Sequence, residues 1–485
     1  MKTQSRPSLK KNFIMNALLT MSSFLFPLIT FPYVSRILGP EGFGRVSFAT
    51  SVVAYFNMLA QLGIPTYGIR ICASLRDDRE ALTRTAHELL LINLLMGLLS
   101  WLMLASCLAV VPRLRQEREL LLLISATIFL NAIGMEWLYK GLEQYTYITV
   151  RSVAFKALAV VAMFLMVHSP EDCLAYGAVS IFASSASNIL NFVHAGSIIS
   201  LRPVGGYNLK RHMKVVAVFF AMACATTIYT NLDEVMLGFM KSNADVGYYH
   251  AAVKIKNILV SIVTALGAVL LPRASYYIEQ GRYDEFWRIT RKALHFVLLA
   301  ASPMMLYFTL FAREGILLVS GGAYENAVLP MQIIMPTLLL IGVTNVLGIQ
   351  MLVPLGREKC VLYSEIAGAV TDLILNALLI PRYAAAGAAI GTLTAEIVVL
   401  VVQYISLRDE IKDYFCRFPY KKILPALMVS CAACIWVKRL SLGSFPALVL
   451  SASCFFGGYV ASLLCLREPL LGESIVKLRD KLGRK

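Results

Sequence analysis

The chain is a succession of apolar runs, each about as long as a bilayer is thick. A hydrocarbon core of about 30 Å takes about 20 helical residues. Runs of that kind lie near 13–34, 46–68, 88–111, 119–139, 150–167, 173–200 and 214–239. They continue near 249–272, 292–312, 327–354, 361–380, 386–407, 423–437 and 444–466. Backbone polar groups in hydrocarbon must pair within the segment, which makes runs of this length helices. Charged residues are only 15% of the chain, against about 25% in soluble domains. A soluble enzyme of this size would lack a surface. The expected fold class is all-α and polytopic, with about fourteen transmembrane helices. The segment 292–320 should hold a helix and a short interfacial turn before Gly321-Gly322.

The formal net charge is +16. In a membrane protein such an excess sits in cytoplasmic loops. With the N-terminus inside, 32 of the 45 Lys and Arg fall in inside segments and 10 in outside ones. That asymmetry supports fourteen spans with both termini cytoplasmic, and it removes any need for nucleic acid as a partner. The basic start (Lys2, Arg6, Lys10, Lys11) precedes a long apolar run with no small-residue cleavage site, as in a retained first helix. No connection exceeds about 20 residues, which leaves no room for a soluble catalytic domain. No P-loop motif is present, and so no ATPase. Cys431 and Cys434 form a CxxC inside an apolar run, where small residues pack helices. The six His are scattered without a ligand pattern, so no metal site is expected.

Two stretches repeat. Gly44, in Leu38-Gly39-Pro40-Glu41-Gly42-Phe43-Gly44-Arg45, follows helix 1, and Gly247, in Asn243-Ala244-Asp245-Val246-Gly247, follows helix 7. Tyr176-Gly177-Ala178-Val179 before helix 6 matches Ala386-Gly387-Ala388-Ala389 before helix 12. The offsets are 203 and 210 residues. Repeated halves are common in transporters. They suggest pseudo-symmetric six-helix lobes over 1–208 and 209–408, with helices 13 and 14 and a tail over 409–485.

The stretch Phe31-Pro32-Tyr33-Val34-Ser35-Arg36-Ile37-Leu38-Gly39-Pro40-Glu41-Gly42-Phe43-Gly44 resembles the opening signature of bacterial Wzx-type polysaccharide flippases. Val52 to Phe56, Trp137 to Glu143 and Ile380 to Thr392 are similar to the same family. These are the O-antigen and capsule repeat-unit transporters of the multidrug/oligosaccharidyl-lipid/polysaccharide exporter superfamily. The resemblance implies two lobes around a central cavity in the bacterial inner membrane. It implies a substrate of oligosaccharide on polyprenyl diphosphate, and a polysaccharide polymerase and export proteins as partners. Many relatives have twelve helices; the extra pair here is shared with lipid II flippases.

Ionisable groups inside spans are expensive and mark function. Asp233 lies 19 residues beyond Lys214, a rise of about 28 Å. Asp233 and Glu234 therefore sit near the outer end of helix 7. Lys254 and Lys256, early in helix 8, share that depth, as does Arg36. Lys254 and Lys256 are about 200° apart, so one straight face cannot present both. Near the inner face, Glu136 and Lys140 form an i,i+4 pair, and Arg151 and Lys156 open helix 5. Glu365 and Asp372 share a face of helix 11, Glu396 is mid-helix 12, and helix 2 carries Asn57 and Gln61. Pro27, Pro32 and Pro65 should kink or end helices 1 and 2.

A diphosphate needs cations to replace its water. Arg36, Lys140, Arg151, Lys156, Lys254 and Lys256 are the candidates. Asn57 and Gln61 are candidates for sugar hydroxyls. Asp233, Glu234, Asp372 and Glu396 are candidates for coupling to a proton or sodium gradient, with no other cofactor. The expectation is a flippase working by alternating access, and no enzyme. The alternative is a cation-coupled drug antiporter of the same superfamily, which intramembrane lysines disfavour. A membrane glycosyltransferase would want a large outer loop and a catalytic constellation that the chain lacks.

Overall fold

The computed structural model describes residues 9–417 and 420–468. Lys2, Arg6 and the basic residues from Lys477 to Lys485, which enter the charge count, lie outside the described residues. Every regular element among the described residues is helical. Eleven helices are long and apolar enough to cross a membrane, and a bent pair makes a twelfth. Two of these, Ile14–Ser74 and Glu358–Ser406, run through a backbone break, at Gly39 and Ala384, and read as two spans each. Counted that way, the helices agree with the fourteen apolar runs. Large apolar side chains such as Leu95, Val193, Leu378 and Phe445 stand exposed along them. Hydrocarbon, not water, suits such surfaces, and the chain is a multi-pass membrane protein.

The chain divides into two units, at Gly247 and Tyr248. The first begins with α1 (Leu9–Gln61), which is broken at Gly39, with φ 64° and ψ −179°. Pro40 explains the break: a residue before proline avoids helical geometry, and only glycine takes a positive φ freely. Leu62 and Gly63, both with positive φ, turn the chain into α2 (Ile64–Ser74). Pro65 lies in the first turn of α2, where its missing N–H costs nothing. Next come α3 (Arg79–Val110), α4 (Arg118–Gly134) and α5 (Tyr145–Met166). Asp78 caps α3 by accepting from the Ala81 N–H at 3.0 Å.

Helix 6 is not one uniform rod. It comprises α6 (Cys173–Ile181), a π-helical turn over Phe182–Ala186, and α7 (Asn188–Ala195). The last long element is α8 (Lys210–Met240). It packs against α1 and α2. The core at one end gathers Ile64, Tyr67, Leu89, Met135, Trp137, Leu138 and Val216. Gly68 matters there, because a Cβ would strike the Trp137 ring at 2.7 Å.

The helix α9 (Asn243–Glu279) starts in the first unit and runs on into the second. The second unit continues with α10 (Tyr283–Leu310), then a helical turn over Ala312–Ser320 that ends at Gly321, as expected from the sequence. The predicted helix over 327–354 is instead a pair, Gly322–Ile334 and Thr337–Leu352, bent by 43°. Pro336 lies in the break, where it removes a backbone donor. The helix α11 (Glu358–Ser406) is broken at Ala384, whose φ is 48°. Gly387 lets the chain fold back there: a Cβ would lie 2.6 Å from the Leu379 backbone.

The appended helices α12 (Tyr420–Ile435) and α13 (Ser444–Cys465) pack on α10 through Tyr307, Phe311, Phe455 and Tyr459. Tyr307 Oη bonds to Ser451 Oγ and donates to the Leu448 carbonyl, both at 3.0 Å. Cys434 is buried in this core, a packing position.

Candidate functional site

Each end of α8 is fastened within the first unit by a polar cluster. At the α8 C-terminus the two repeated loops meet. A Cβ on Gly44 would overlap the Asn243 carbonyl oxygen, and one on Gly247 would overlap the Pro40 carbonyl oxygen. The two glycines thus let two backbones touch. Beside this seam Glu117, only 4% exposed, accepts from Arg45 Nε at 2.8 Å and from Asn243 Nδ2 at 3.0 Å. Asn243 Nδ2 also reaches Glu41 at 3.0 Å. Arg113 donates from Nε to the Gly238 carbonyl at 2.6 Å and from Nη2 to Asn243 Oδ1. Its guanidinium lies over the Phe48 ring.

At the α8 N-terminus the anchor is Glu88 on α3, fully buried. It accepts from the Asn208 N–H at 2.7 Å, from Arg211 Nε at 2.9 Å and from His212 Nε2 at 2.8 Å. Tyr67 Oη bonds to the other His212 nitrogen at 2.8 Å. His87 bonds to the Ser200 carbonyl at 2.7 Å and to Tyr207 Oη at 3.0 Å. A buried carboxylate needs such partners, since unpaired it would cost several kcal/mol.

Between these ends α8 is open. The 31 residues of α8 rise about 46 Å, more than the hydrocarbon core. Its buried residues are His212, Val216, Asp233, Glu234, Leu237 and Gly238, all near the ends. In the gap stand Thr226, Thr227, Thr230 and Asn231, some of them exposed. The hydroxyls of Thr226 and Thr230 fold back on helix carbonyls. A polar run at that depth suits an aqueous wall better than lipid.

A second polar group crosses the helices of the first unit. Asn188 Nδ2 donates to Asn131 Oδ1 at 3.1 Å, Asn131 Nδ2 to Asn57 Oδ1 at 3.4 Å, and Asn57 Nδ2 to Thr127 Oγ1 at 2.9 Å. Gly134 clears a path for Asn188, whose Cγ would be 2.5 Å from a Cβ there. The π-helical turn ends just before Ser187-Asn188. Such turns shift the register of the helix beyond them and recur at functional sites.

The predicted cations have distinct settings. Arg151 is buried; Nη1 donates to the Ser187 carbonyl at 3.1 Å, and Nε has no hydrogen-bond partner among the described residues. Lys156 donates to Ser22 Oγ at 3.0 Å and Ser23 Oγ at 2.9 Å across α1 and α5. Lys140 pairs with Glu136 at 3.1 Å, as the i,i+4 spacing predicts. Arg36 is exposed, close in sequence to the Gly39 break. Gln61 is half-buried. Among the predicted acids, Asp233 is buried and Glu234 accepts from Ser51 Oγ at 2.5 Å.

In the second unit Lys256, Asp372 and Glu396 are buried, while Lys254 and Glu365 are partly exposed. Their helices meet at Gly391-Thr392. Tyr249 of α9 bonds to Thr392 Oγ1 at 2.9 Å, and a Cβ on Gly391 would lie 2.9 Å from Asp372 Oδ1.

Sequence reading missed Glu117, Glu88, Arg211 and His212, because they lie near helix ends, where charges are ordinary. It also missed Asn131 and Asn188. Their signal was present: an amide inside an apolar helix, four residues or fewer from a glycine or a serine.

Comparison with known proteins gives a consistent picture. The family described as "Polysaccharide biosynthesis protein" matches residues 9–277, more than half the chain, and the family described as "MatE" matches residues 218–378. A protein of Escherichia coli strain K12 named "Putative O-antigen transporter" is 26% identical over 83% of this chain and 97% of its own. A protein of Shigella dysenteriae with the same name is 25% identical over 81% of this chain and 98% of its own. Among solved structures, lipid II flippase MurJ in an inward closed conformation superposes with TM-score 0.75 at 14% identity, over 95% of this chain and all of that one. An inward-facing multidrug resistance MATE transporter of the MOP superfamily gives 0.63 at 13% identity, over 84% of this chain and 99% of that one. These two likenesses are of fold.

Proposed function

The chain belongs to the polysaccharide biosynthesis protein family, and from that premise we propose that it is a flippase for lipid-linked oligosaccharide. In this reading it moves a polyprenyl-diphosphate-linked repeat unit from the inner to the outer leaflet of the bacterial cytoplasmic membrane. It carries no reaction of its own. The observation that carries the reading is the coexistence, inside membrane helices of one unit, of buried or serine-held cations (Arg151, Lys156) and linked amides (Asn57, Asn131, Asn188). Cations can replace the water of a diphosphate and amides that of sugar hydroxyls. The polyprenyl tail stays in lipid. The names of the two O-antigen relatives and the flippase fold support it.

Alternating access is the mechanism proposed. The Gly44–Gly247 seam closes the end assigned to the outer face, and the Glu88 cluster fastens the end assigned to the cytoplasm. Turnover without ATP requires an ion gradient, of protons or sodium. Asp233, Glu234, Asp372 and Glu396 are the acids proposed to couple to it, since all four are buried within spans. The second reading is a cation-coupled drug antiporter, favoured by the MatE match over residues 218–378.

The deciding experiment is the sidedness of lipid-linked oligosaccharide in cells depleted of this protein, read with a membrane-impermeant glycosidase. Intermediates should be trapped inside on depletion and exposed on re-expression. Unchanged sidedness in a strain with no redundant flippase refutes the flippase and leaves the antiporter.

A further inference from the structure

The three linked amides point one way. Asn188 donates to Asn131, Asn131 to Asn57 and Asn57 to Thr127, whose hydroxyl donates on to the Ile124 carbonyl at 2.7 Å. A carboxamide has two N–H donors and two acceptor lone pairs. In this chain each asparagine spends one donor and leaves the other with no partner among the described residues. Asn188 Oδ1, at the head of the chain, is likewise unused. Polar groups buried in a finished core are hydrogen-bonded. Here Asn57 and Asn131 are both partly exposed.

The setting adds an independent sign. Asn188 is placed by the π-helical turn, and Arg151 holds the carbonyl of its neighbour Ser187. Arg151 Nε and, one turn beyond Asn188, Asn191 Oδ1 are buried polar atoms without hydrogen-bond partners among the described residues. An orphaned donor and acceptor around one bulge are unusual in a finished core. A row of amides with a spare donor each matches vicinal hydroxyls, which both give and accept.

We infer that Asn57, Asn131 and Asn188 form a carbohydrate-reading ladder: they hydrogen-bond the hydroxyls of the sugar next to the diphosphate and set head-group preference. Arg151 acts on it as a positioning residue, through Ser187. The inference rests on the flippase reading but is separable from it.

The test uses the purified full-length protein in nanodiscs and three probes: undecaprenyl diphosphate bare, carrying a neutral hexose, or carrying an N-acetylhexosamine. The native chain should bind at least one sugared probe several-fold more tightly than the bare one. Asn131→Leu and Asn188→Leu should each reduce that increment about threefold to about tenfold, the worth of one or two hydrogen bonds. Binding of bare undecaprenyl diphosphate should not change. Asn131→Ser, too short to reach Asn57, gives the same comparison if Asn131→Leu is not recovered folded. Arg151→Leu should lower the increment beyond any loss of bare-probe binding, and Arg151→Lys, whose amine can still donate to the Ser187 carbonyl, should keep part of it; a purely electrostatic role would lower the bare and sugared probes in parallel. Equal affinity of the native chain for all three probes overturns the ladder while leaving the flippase standing. Parallel loss of bare and sugared probes in the asparagine variants overturns it too, as a structural effect. Failure of the native chain to bind any of the three overturns the flippase reading itself.

Discussion

Replacing Gly44 by alanine should force open the seam between the two repeated loops. The added Cβ would lie 2.7 Å from the Asn243 carbonyl carbon and 2.8 Å from the Gly247 nitrogen, and would overlap the carbonyl oxygen. Carbon contacts are comfortable at about 3.5–4.0 Å, and the overlapping oxygen needs more relief than the carbon, so the two backbones must part by more than about 1 Å. All three obstacles are backbone atoms, so no side chain can swing aside. Overpacking of this kind costs about 1–3 kcal/mol, which lowers the closed population about 5-fold to about 150-fold against any open arrangement. The assay is labelling of Ser47→Cys by a membrane-impermeant maleimide added to intact cells, corrected for the chain without that substitution. Ser47 is buried, one turn further along α1. Labelling should be slow in the Gly44 chain and much faster with Gly44→Ala at equal abundance. Gly247→Ala, whose Cβ would meet the Pro40 carbonyl carbon at 2.9 Å, should act alike, and the pair should be less than additive because they relieve one contact. Slow labelling in Gly44→Ala, with Tm unchanged, would refute the reasoning; so would fast labelling of the Gly44 chain.

Other contacts yield three more expected outcomes. Glu88→Ala strands His212 and the half-exposed Arg211, and should cost about 2–4 kcal/mol at the α8 N-terminus; faster hydrogen exchange over residues 200–216 checks it. Tyr307→Phe removes a hydroxyl held by Ser451 and Leu448 and should lower stability by about 1 kcal/mol, whereas Phe455→Ala should cost about 3–5 kcal/mol; denaturation in detergent ranks them. Asp172 accepts from the His168 and Ser169 N–H groups, which hold its carboxyl below the ordinary 3.8. A lowered carboxyl stabilises the loop above that pH and ceases to as pH falls through the folded value. Exchange protection at 168–172 should therefore be flat from neutral pH down to about 4 and drop only below it, and Asp172→Ala should abolish the drop.

The apolar runs made the helices legible, because hydrocarbon leaves a chain little choice of structure. The breaks at Gly39 and Ala384 were readable, since the apolar runs stop at 34 and at 380 with Pro40 and Pro381 close by, whereas 327–354 reads as one run although Pro336 sits at a bend. The π-helical turn at Phe182–Ala186 carries no such residue and depends on packing. The repeat pointed to Gly44 and Gly247 as equivalents, yet not to their touching, since equivalence by sequence says nothing of contact. Intramembrane charges were conspicuous for the same reason that they are costly. Glu88 and Glu117 were hidden, because acids near helix ends are normally solvated and only the fold buries these two. Asn57 was legible as a polar residue within a span; its partners on other helices had to wait for the fold.

A passage wide enough for an oligosaccharide would, if it ever stood open from side to side, also conduct ions and discharge the membrane. The helix α8 bears on this because it is fastened at both ends in one and the same structure. If one fastening is released while the other holds, as the proposed alternating access would have it, the barrier to leakage along this helix need never fall to zero. The polar run over 226–231, in the C-terminal half of α8, could then stay wet without becoming a short circuit. The sixteen residues between Val216 and Asp233 contain no buried position, and the insulation is left to a few side chains at the two rims.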